Sequence, residues 1–153
     1  MQAAALFQYA NLLALLGWLL LLLSPYLKPA RQIAQKGLVP VLLGLAYLYL
    51  IVVYFGQADG GFSSLEEVKR LFANDHAVLA GWVHYLAFDL WVGSWELEDS
   101  KKYGIPFWAV IPCLFLTFML GPIGLLAYLA LRGILAKKLD HDNFQLAAPD
   151  PGR

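Results

Sequence analysis

Several features that are common in soluble proteins are scarce in this sequence. Charged residues make up only 14% of it, and its eleven basic and eleven acidic residues cancel. No excess of positive charge is therefore present to attract nucleic acid, and we expect no nucleic-acid partner. Cysteine occurs once, at position 113 within an apolar stretch, which excludes an intramolecular disulfide.

The sequence also lacks the short motifs of the common catalytic and binding sites. It contains no H-E-x-x-H pattern, no glycine-rich phosphate loop, no nucleophile elbow and no Cys–His pair placed for covalent catalysis. We therefore expect neither a metal nor a cofactor. The inverted repeats that many solute transporters contain are also not evident, and the four membrane spans predicted below are few for such a transporter.

Long apolar blocks dominate what remains. Hydrophobic residues make up 60% of the chain, in blocks of about 16–25 residues, the length with which a helix crosses a hydrocarbon core of roughly 30 Å. We predict an all-α fold with a four-transmembrane-helix bundle as a single domain over residues 1–138, followed by a flexible polar tail over 139–153. The predicted spans cover residues 5–23, 38–55, 77–95 and 107–131.

The segments between the spans carry local signals of their own. The stretch Ser63-Ser64-Leu65-Glu66-Glu67 has the pattern of a capping box, which predicts a short amphipathic helix on the membrane surface between spans 2 and 3. Asn74 or Asp75 can cap the third span. Residues 28–36 and 96–104 are rich in charged and polar side chains. We predict that the first segment is a short loop at the lipid headgroups and that the second returns the chain to water.

The fourth predicted span contains an internal break. Pro112 and the segment Gly121-Pro122-Ile123-Gly124 should kink it and free backbone carbonyls near Thr117 and Phe118.

The third span is unusual because it carries His84 and Asp89 at membrane depth. An ionised aspartate at the centre of a spanning helix costs roughly 2.5–3.5 kcal/mol on insertion scales. Three interpretations of Asp89 stay open: a clamp between helices, an acid or base that faces a substrate, or part of an ion pathway. His84 is either a core histidine with satisfied hydrogen bonds or a general acid–base.

The spacing of these two residues argues against a direct dyad. Five residues place them about 140° apart around an ideal helix, so we expect each to find a partner on another span, such as Asn11, Gln8, Tyr47 or Thr117. Asn11 should turn inward, because an amide facing lipid would lack hydrogen bonds. Trp82 shares a helical stripe with Asp89 and Glu96, and it is well placed as the wall of a site for an apolar ligand.

At this point the residues resemble a known family, the neoxanthin-synthase-like, abscisic-acid-deficient membrane proteins of plant plastids and their bacterial relatives. The strongest match is the segment from Trp82 to Gly93. The remaining matching residues are Phe7, Ala10, Asn11, Trp18, Pro25, Trp95, Asp99, Thr117, Phe118, Gly121, Pro122, Ile123, Gly124, Tyr128, Leu129 and Arg132.

The resemblance implies a four-span protein and an isomerase that converts an epoxy-carotenoid to an allenic one. That reaction needs an acid for the epoxide oxygen and a base for the neighbouring polyene carbon, and it needs no redox cofactor. By this resemblance His84 and Asp89 are the catalytic candidates. Asn11 and Tyr85 would orient them, and Trp82 and Phe88 would contact the polyene. Tyr47 joins the predicted substrate-binding residues on other grounds, because it lies deep in the second span and could face the centre of the bundle.

The resemblance also carries expectations about location and partners. The chain has no plastid-targeting extension, so we expect a bacterial-type member, multi-pass in the inner membrane, whose partners are membrane lipid and a hydrophobic small molecule such as a carotenoid. The sequence leaves homo-oligomerisation open. A second function stays open as well: a non-catalytic membrane module that binds a pigment or lipid, or that assists a neighbouring biosynthetic enzyme.

Overall fold

The architecture comes from a computed structural model that describes residues 2–147, with side chains over 2–54 and 56–136. These residues form helices and turns without a strand, which confirms the all-α prediction. Phe55–Gln57 adds a short 3-10 turn. The α-helices of this part of the chain are α1 (Ala3–Leu23), α2 (Lys28–Gln35), α3 (Leu38–Tyr54), α4 (Leu65–Leu71), α5 (Asp75–Lys102), α6 (Phe107–Leu120) and α7 (Pro122–Ala147).

Both predicted helix caps are confirmed. The Ser64 hydroxyl accepts from the Glu67 N–H at 3.2 Å, and the Glu67 carboxylate accepts from the Ser63 N–H at 3.3 Å. The Asn74 side chain accepts from the N–H groups of the first turn of α5, at 2.9 and 3.2 Å. These contacts satisfy donors that a helix start leaves without partners.

The chain divides into two compact units, residues 1–94 and 95–153. In the first unit, α1 packs against α3 and the first part of α5 at glycines. A Cβ at Gly17 would clash with Leu90, and one at Gly93 would lie 2.6 Å from the Trp18 ring. The core of this unit is apolar. It contains Ala10, Ala14, Trp18, Leu21, Val39, Leu43, Leu50, Leu79, Val83, Leu86 and Leu90.

The prediction of a loop over residues 28–36 is wrong, because most of this segment forms α2. Pro29 lies in the first turn of this helix, where proline is well tolerated. The Arg31 guanidinium donates to the Ser24 and Pro25 carbonyls at 3.1 and 3.0 Å, so it satisfies groups at the end of α1. Gly37, with φ of 61°, ends the segment before α3 begins.

The aqueous loop predicted over residues 96–104 is wrong as well. Helix α5 continues to Lys102, and Glu96, Asp99 and Ser100 on this part of it are buried. Their burial is tolerable because each has a hydrogen-bond partner, and buried polar groups with partners avoid most of the cost of leaving water.

In the second unit, α6 and α7 form an antiparallel hairpin. The Arg132 guanidinium lies 5.1 Å from the ring of Tyr103, which precedes α6 in sequence. A single straight helix from Phe107 to Arg132 would separate its two ends by roughly 37 Å. The chain must therefore reverse between the two helices, and the continuous fourth span predicted over 107–131 is wrong.

The reversal depends on two glycines at the predicted break. Gly121 has φ of 47° and ψ of −99°, a region that only glycine enters readily. Its N–H donates to the Thr117 carbonyl at 2.9 Å, so that carbonyl is not freed as expected. Gly124 approaches the Thr117 backbone so closely that a Cβ would clash with it.

Helix α7 extends into the region where we predicted a tail. Residues 148–153 lie outside the described residues, and the flexibility predicted for 139–153 stays a prediction.

The described helices include one, α1, that is by itself long and apolar enough to cross a membrane. Helices α2 and α3 meet this criterion together, with a bend of 41° between them. Helix α6 and the first part of α7 are apolar but shorter.

The glycine contacts predict opposite effects for two alanine substitutions. Gly93→Ala should lower the free energy of unfolding by about 1–3 kcal/mol, because its Cβ would press into the buried Trp18 ring. Gly44→Ala should raise it by up to about 1 kcal/mol, because a Cβ there meets nothing within 4 Å and alanine favours the helix. Thermal unfolding of the two purified variants checks both signs. Equal changes in the free energy of unfolding for the two variants would contradict this packing.

Candidate functional site

The seven predicted site residues all lie in the first unit, and the structure separates them into two groups on different faces of α5. Asp89 and His84 belong to different groups. The Asp89 group also holds Asn11, Trp82 and Tyr85. The His84 group also holds Tyr47 and Phe88.

Asp89 is buried, with 9% of its surface exposed. The Tyr85 hydroxyl, one helical turn earlier, is hydrogen-bonded to its carboxyl group. The second carboxyl oxygen, Oδ2, is buried and has no hydrogen-bond partner among the described residues. The carboxyl group thus has one oxygen held by a proton donor and one that is available to accept a proton.

A chain of contacts extends this face towards α1. The Trp82 indole N–H donates to the Asn11 side-chain oxygen at 3.1 Å, and the Asn11 amide donates to the Phe7 carbonyl at 2.7 Å. The Trp82 ring lies 5.3 Å from the Tyr85 ring and 5.7 Å from the Phe7 ring. Asn11 therefore positions Trp82, and Asp89 finds its partner on its own helix rather than on another one.

A cavity opens beside the Trp82 end of this face. It has a volume of about 330 Å³, and Trp82 lies seven residues, or roughly 10 Å, from Asp89 along the helix. This volume is at the low end of the range for small-molecule sites. The residues that line it are Ala3, Ala4, Phe7, Asp75, Val78, Leu79 and Trp82.

His84 lies on the other face and is exposed. Its ring stacks on Phe88 at 4.5 Å and meets the Tyr47 ring edge-on at 5.4 Å. It contacts α3 through Tyr47, as the sequence predicts. The structure shows no contact between His84 and Asp89 among the described residues, in agreement with their angular separation.

The second unit contains a group of buried acids that the sequence analysis missed. Glu96 is fully buried and accepts from the Thr117 hydroxyl at 2.8 Å. Asp99 accepts from the Tyr128 hydroxyl at 2.7 Å and from the Arg132 guanidinium at 2.9 Å. The helical stripe from Trp82 through Asp89 continues to Glu96, and this continuation was the one signal that Glu96 lies on the helix. The local density of charge indicated a loop instead.

Arg132 is held on several sides. Its guanidinium lies 5.1 Å from the Tyr103 ring and 6.0 Å from the Trp95 ring. The hydrogen bond with Asp99 raises the pKa of Arg132 above its ordinary value, so the side chain keeps its positive charge. This group joins both helices of the hairpin to the end of α5, which is a structural role.

The comparison with known proteins agrees with the resemblance. The family model described as ABA DEFICIENT 4-like matches residues 5–128. The chain belongs to this family. The predicted family is thereby confirmed, and the match includes every predicted site residue, with Arg132 just beyond its end. No curated protein and no solved structure matches the chain. Membership of the ABA DEFICIENT 4-like family suggests a carotenoid-related membrane protein.

The Glu96–Thr117 contact yields a stability prediction. Thr117→Val keeps the side-chain shape but removes the hydroxyl that donates to a buried carboxyl group, which should lower the free energy of unfolding by about 1–3 kcal/mol. Adding Glu96→Met should recover much of this loss, because replacing both partners by apolar groups is far less costly. Thermal unfolding of the single and double variants measures the coupling.

Lys101→Met is the matched control. It removes an exposed ion pair with Glu98 and should change stability by no more than about 0.5 kcal/mol. A Thr117→Val variant as stable as this control would contradict a structural role for the buried contact.

Proposed function

We propose that the protein is a multi-pass membrane isomerase that acts on an epoxide-bearing carotenoid or a related isoprenoid, with Asp89 as the base and Tyr85 as the acid. The observation that carries this proposal is the Asp89 carboxyl group, buried in an apolar helix with Tyr85 on one side and Oδ2 available. Family membership supports the carotenoid class of substrate.

The outer surfaces of the helices support a membrane location. The exposed side chains of α1 include Leu12, Leu15 and Leu19, and those of α3 include Leu45 and Val52. A helix on the surface of a soluble protein carries polar residues at such positions. These leucines therefore suit contact with lipid, and we propose that α1, α3 and α5 cross the bilayer.

The proposed reaction rearranges the epoxide without any change in composition. Tyr85 donates its proton to the epoxide oxygen, and the bond from this oxygen to the carbon next to the polyene breaks. The oxygen remains on the other epoxide carbon as a hydroxyl. Asp89 Oδ2 removes a proton from the adjacent polyene carbon, and the electron pair released forms the second of two cumulated double bonds.

The contact between the two residues also resets the site. After the reaction Asp89 carries a proton and Tyr85 lacks one. Since the two groups are hydrogen-bonded, this proton can move from the carboxyl group to the phenolate and restore the starting state. The pair therefore needs no proton from outside during a cycle, which suits a site away from water.

His84 has no part in this reaction because it lies on the other face of α5. The bacterial origin and the inner-membrane location stay predictions.

The test is conversion of an epoxy-carotenoid in a producing strain, followed by pigment analysis. Asp89→Asn should lower conversion at least about 100-fold, since an amide cannot accept the proton and general acid–base catalysis contributes roughly 10²–10⁴-fold. Tyr85→Phe should also lower it strongly, whereas His84→Phe should retain it. Tyr9→Phe, at a tyrosine with 67% exposure, is the control for loss of a phenol elsewhere.

Full conversion by Asp89→Asn at equal protein level would overturn the assigned roles. An apolar groove of about 250 Å³ lies between α3 and α5 on the His84 face, lined by Pro40, Val41, Gly44, Ala87, Phe88 and Trp91. It favours a second candidate function, a module that binds a pigment or lipid without converting it. In that case the wild-type protein would co-purify with unchanged pigment and yield no product, and Asp89→Asn would retain the pigment equally well.

A further inference from the structure

The ring of Phe72 packs on α5 one helical turn before Tyr85. A Cβ at Gly81 would lie 2.9 Å from the edge of the Phe72 ring, so the ring rests on the bare backbone of α5 at this glycine. Gly81, Tyr85 and Asp89 follow one another at intervals of four residues, and residues at this spacing are neighbours on one face of a helix. Phe72 therefore lies next to the proposed catalytic pair, on the side towards the start of α5.

The backbone around Phe72 holds the ring in this position. Phe72 ends α4, and its N–H donates to the Val68 carbonyl at 2.9 Å. The preceding residue, Leu71, is buried, and its carbonyl accepts from the Asn74 N–H at 3.2 Å. Asn74 in turn caps α5. The connection from α4 to α5 thus places Phe72 at a fixed point beside the catalytic pair.

Part of the Phe72 side chain is open to a ligand. Its exposed fraction is 44%, although one edge of the ring meets Gly81. On the side towards α1, the Trp82 ring lies 5.3 Å from the Tyr85 ring, and the hydrogen bond to Asn11 fixes Trp82 in place. Phe72 and Trp82 therefore flank the Tyr85 phenol on two sides with apolar rings.

The spacing along α5 limits what fits between Phe72 and Tyr85. The four residues from Gly81 to Tyr85 correspond to roughly 6 Å of helix, about the width of one six-membered carbon ring. In the proposed reaction the epoxide lies at Tyr85 and Asp89, and the polyene attached to it is far too long for this space. The polyene must then leave on the side away from Phe72, and the short end of the substrate lies against Phe72 and Trp82.

We infer that Phe72 determines which end groups the enzyme accepts. This inference rests on the proposed function and deepens it, because it narrows the substrate class to epoxides on a compact terminal ring. Such a ring fits between Phe72 and Tyr85 and packs against both flanking aromatic side chains. A bulky substituent on the far side of the ring meets Phe72, which cannot retreat because the α5 backbone at Gly81 lies behind it.

The experiment measures kcat/KM of the purified protein in phosphatidylcholine vesicles for two probes. One is β-carotene epoxide, whose ring carries only methyl groups, and the other is the same epoxide with an acetate ester on the ring carbon away from the polyene. The wild-type protein should prefer the first probe at least about 10-fold. Phe72→Ala should lower this preference to about twofold or less, because it removes the ring that the ester meets. The amount of active protein does not affect the ratio.

Three further variants make the test specific to this ring. Phe62→Ala removes a phenylalanine with 71% exposure from the same connection between α3 and α5, and it should leave the preference within about twofold of the wild type. Phe72→Leu should give an intermediate preference, and it tests the role of the ring even if Phe72→Ala does not fold. Gly81→Ala should raise the preference, since its Cβ pushes the ring into the space of the end group. It should have no effect when combined with Phe72→Ala.

Failure of the inference is distinguishable from failure of the proposed function. A wild-type protein that converts neither probe would overturn the proposed function and this inference with it. Conversion of both probes with equal kcat/KM by the wild-type protein would leave the isomerase in place and overturn the role of Phe72. A wild-type preference that persists in both Phe72→Ala and Phe72→Leu would overturn that role as well.

Discussion

Polar side chains on helices with apolar surfaces must find partners within the protein, and this constraint accounts for much of the structure. The outer surface of α1 carries leucine where a soluble helix would carry polar residues. Three of the acids of α5 are buried, so they cannot rely on water for their hydrogen bonds. Glu96 is held by Thr117, and Asp99 by Tyr128 and Arg132. These contacts explain why α7 returns beside α6 rather than continuing away from it.

The same constraint distinguishes the candidate site from the structural contacts. In the second unit, Asp99 receives hydrogen bonds from two side chains and carries no evident chemistry. In the first unit, Asp89 keeps a buried oxygen without a partner among the described residues. A buried polar atom without a partner is costly, and at Asp89 this atom belongs to a carboxyl group that is also hydrogen-bonded to the Tyr85 phenol, which makes Asp89 the best candidate for contact with a substrate.

The sequence correctly predicted the features that depend on neighbouring residues, namely the ends of two helices and the helix caps. The ends of α1 and α3 lie within two residues of the predicted spans because long apolar runs define them, and the caps at Ser64 and Asn74 follow from nearby side chains. The angular argument on α5 correctly separated His84 from Asp89, and Tyr47 was named among the possible partners that His84 could meet.

The predictions that failed concern residues whose partners are distant in sequence. Glu96 and Asp99 were predicted to lie in a loop because charged residues are dense around them. Their partners lie 21 to 33 positions later, and no local pattern shows that they will meet. The hairpin was missed for a related reason: a glycine-proline break indicates a kink, but the direction of the chain after it depends on the contacts of α7. The partner of Asp89 was sought on another helix, although Tyr85 was one turn away.

The central claim is that Asp89 lies in apolar surroundings away from bulk water. Its most direct test is the reaction of single cysteines, in a protein with Cys113 replaced, with a water-soluble maleimide in permeabilised membranes, where the reagent reaches both faces. Cysteine at position 63, in an exposed turn, should react rapidly, and cysteine at position 89 should remain unlabelled until the protein is unfolded. Equal labelling rates at positions 63 and 89 would contradict this account.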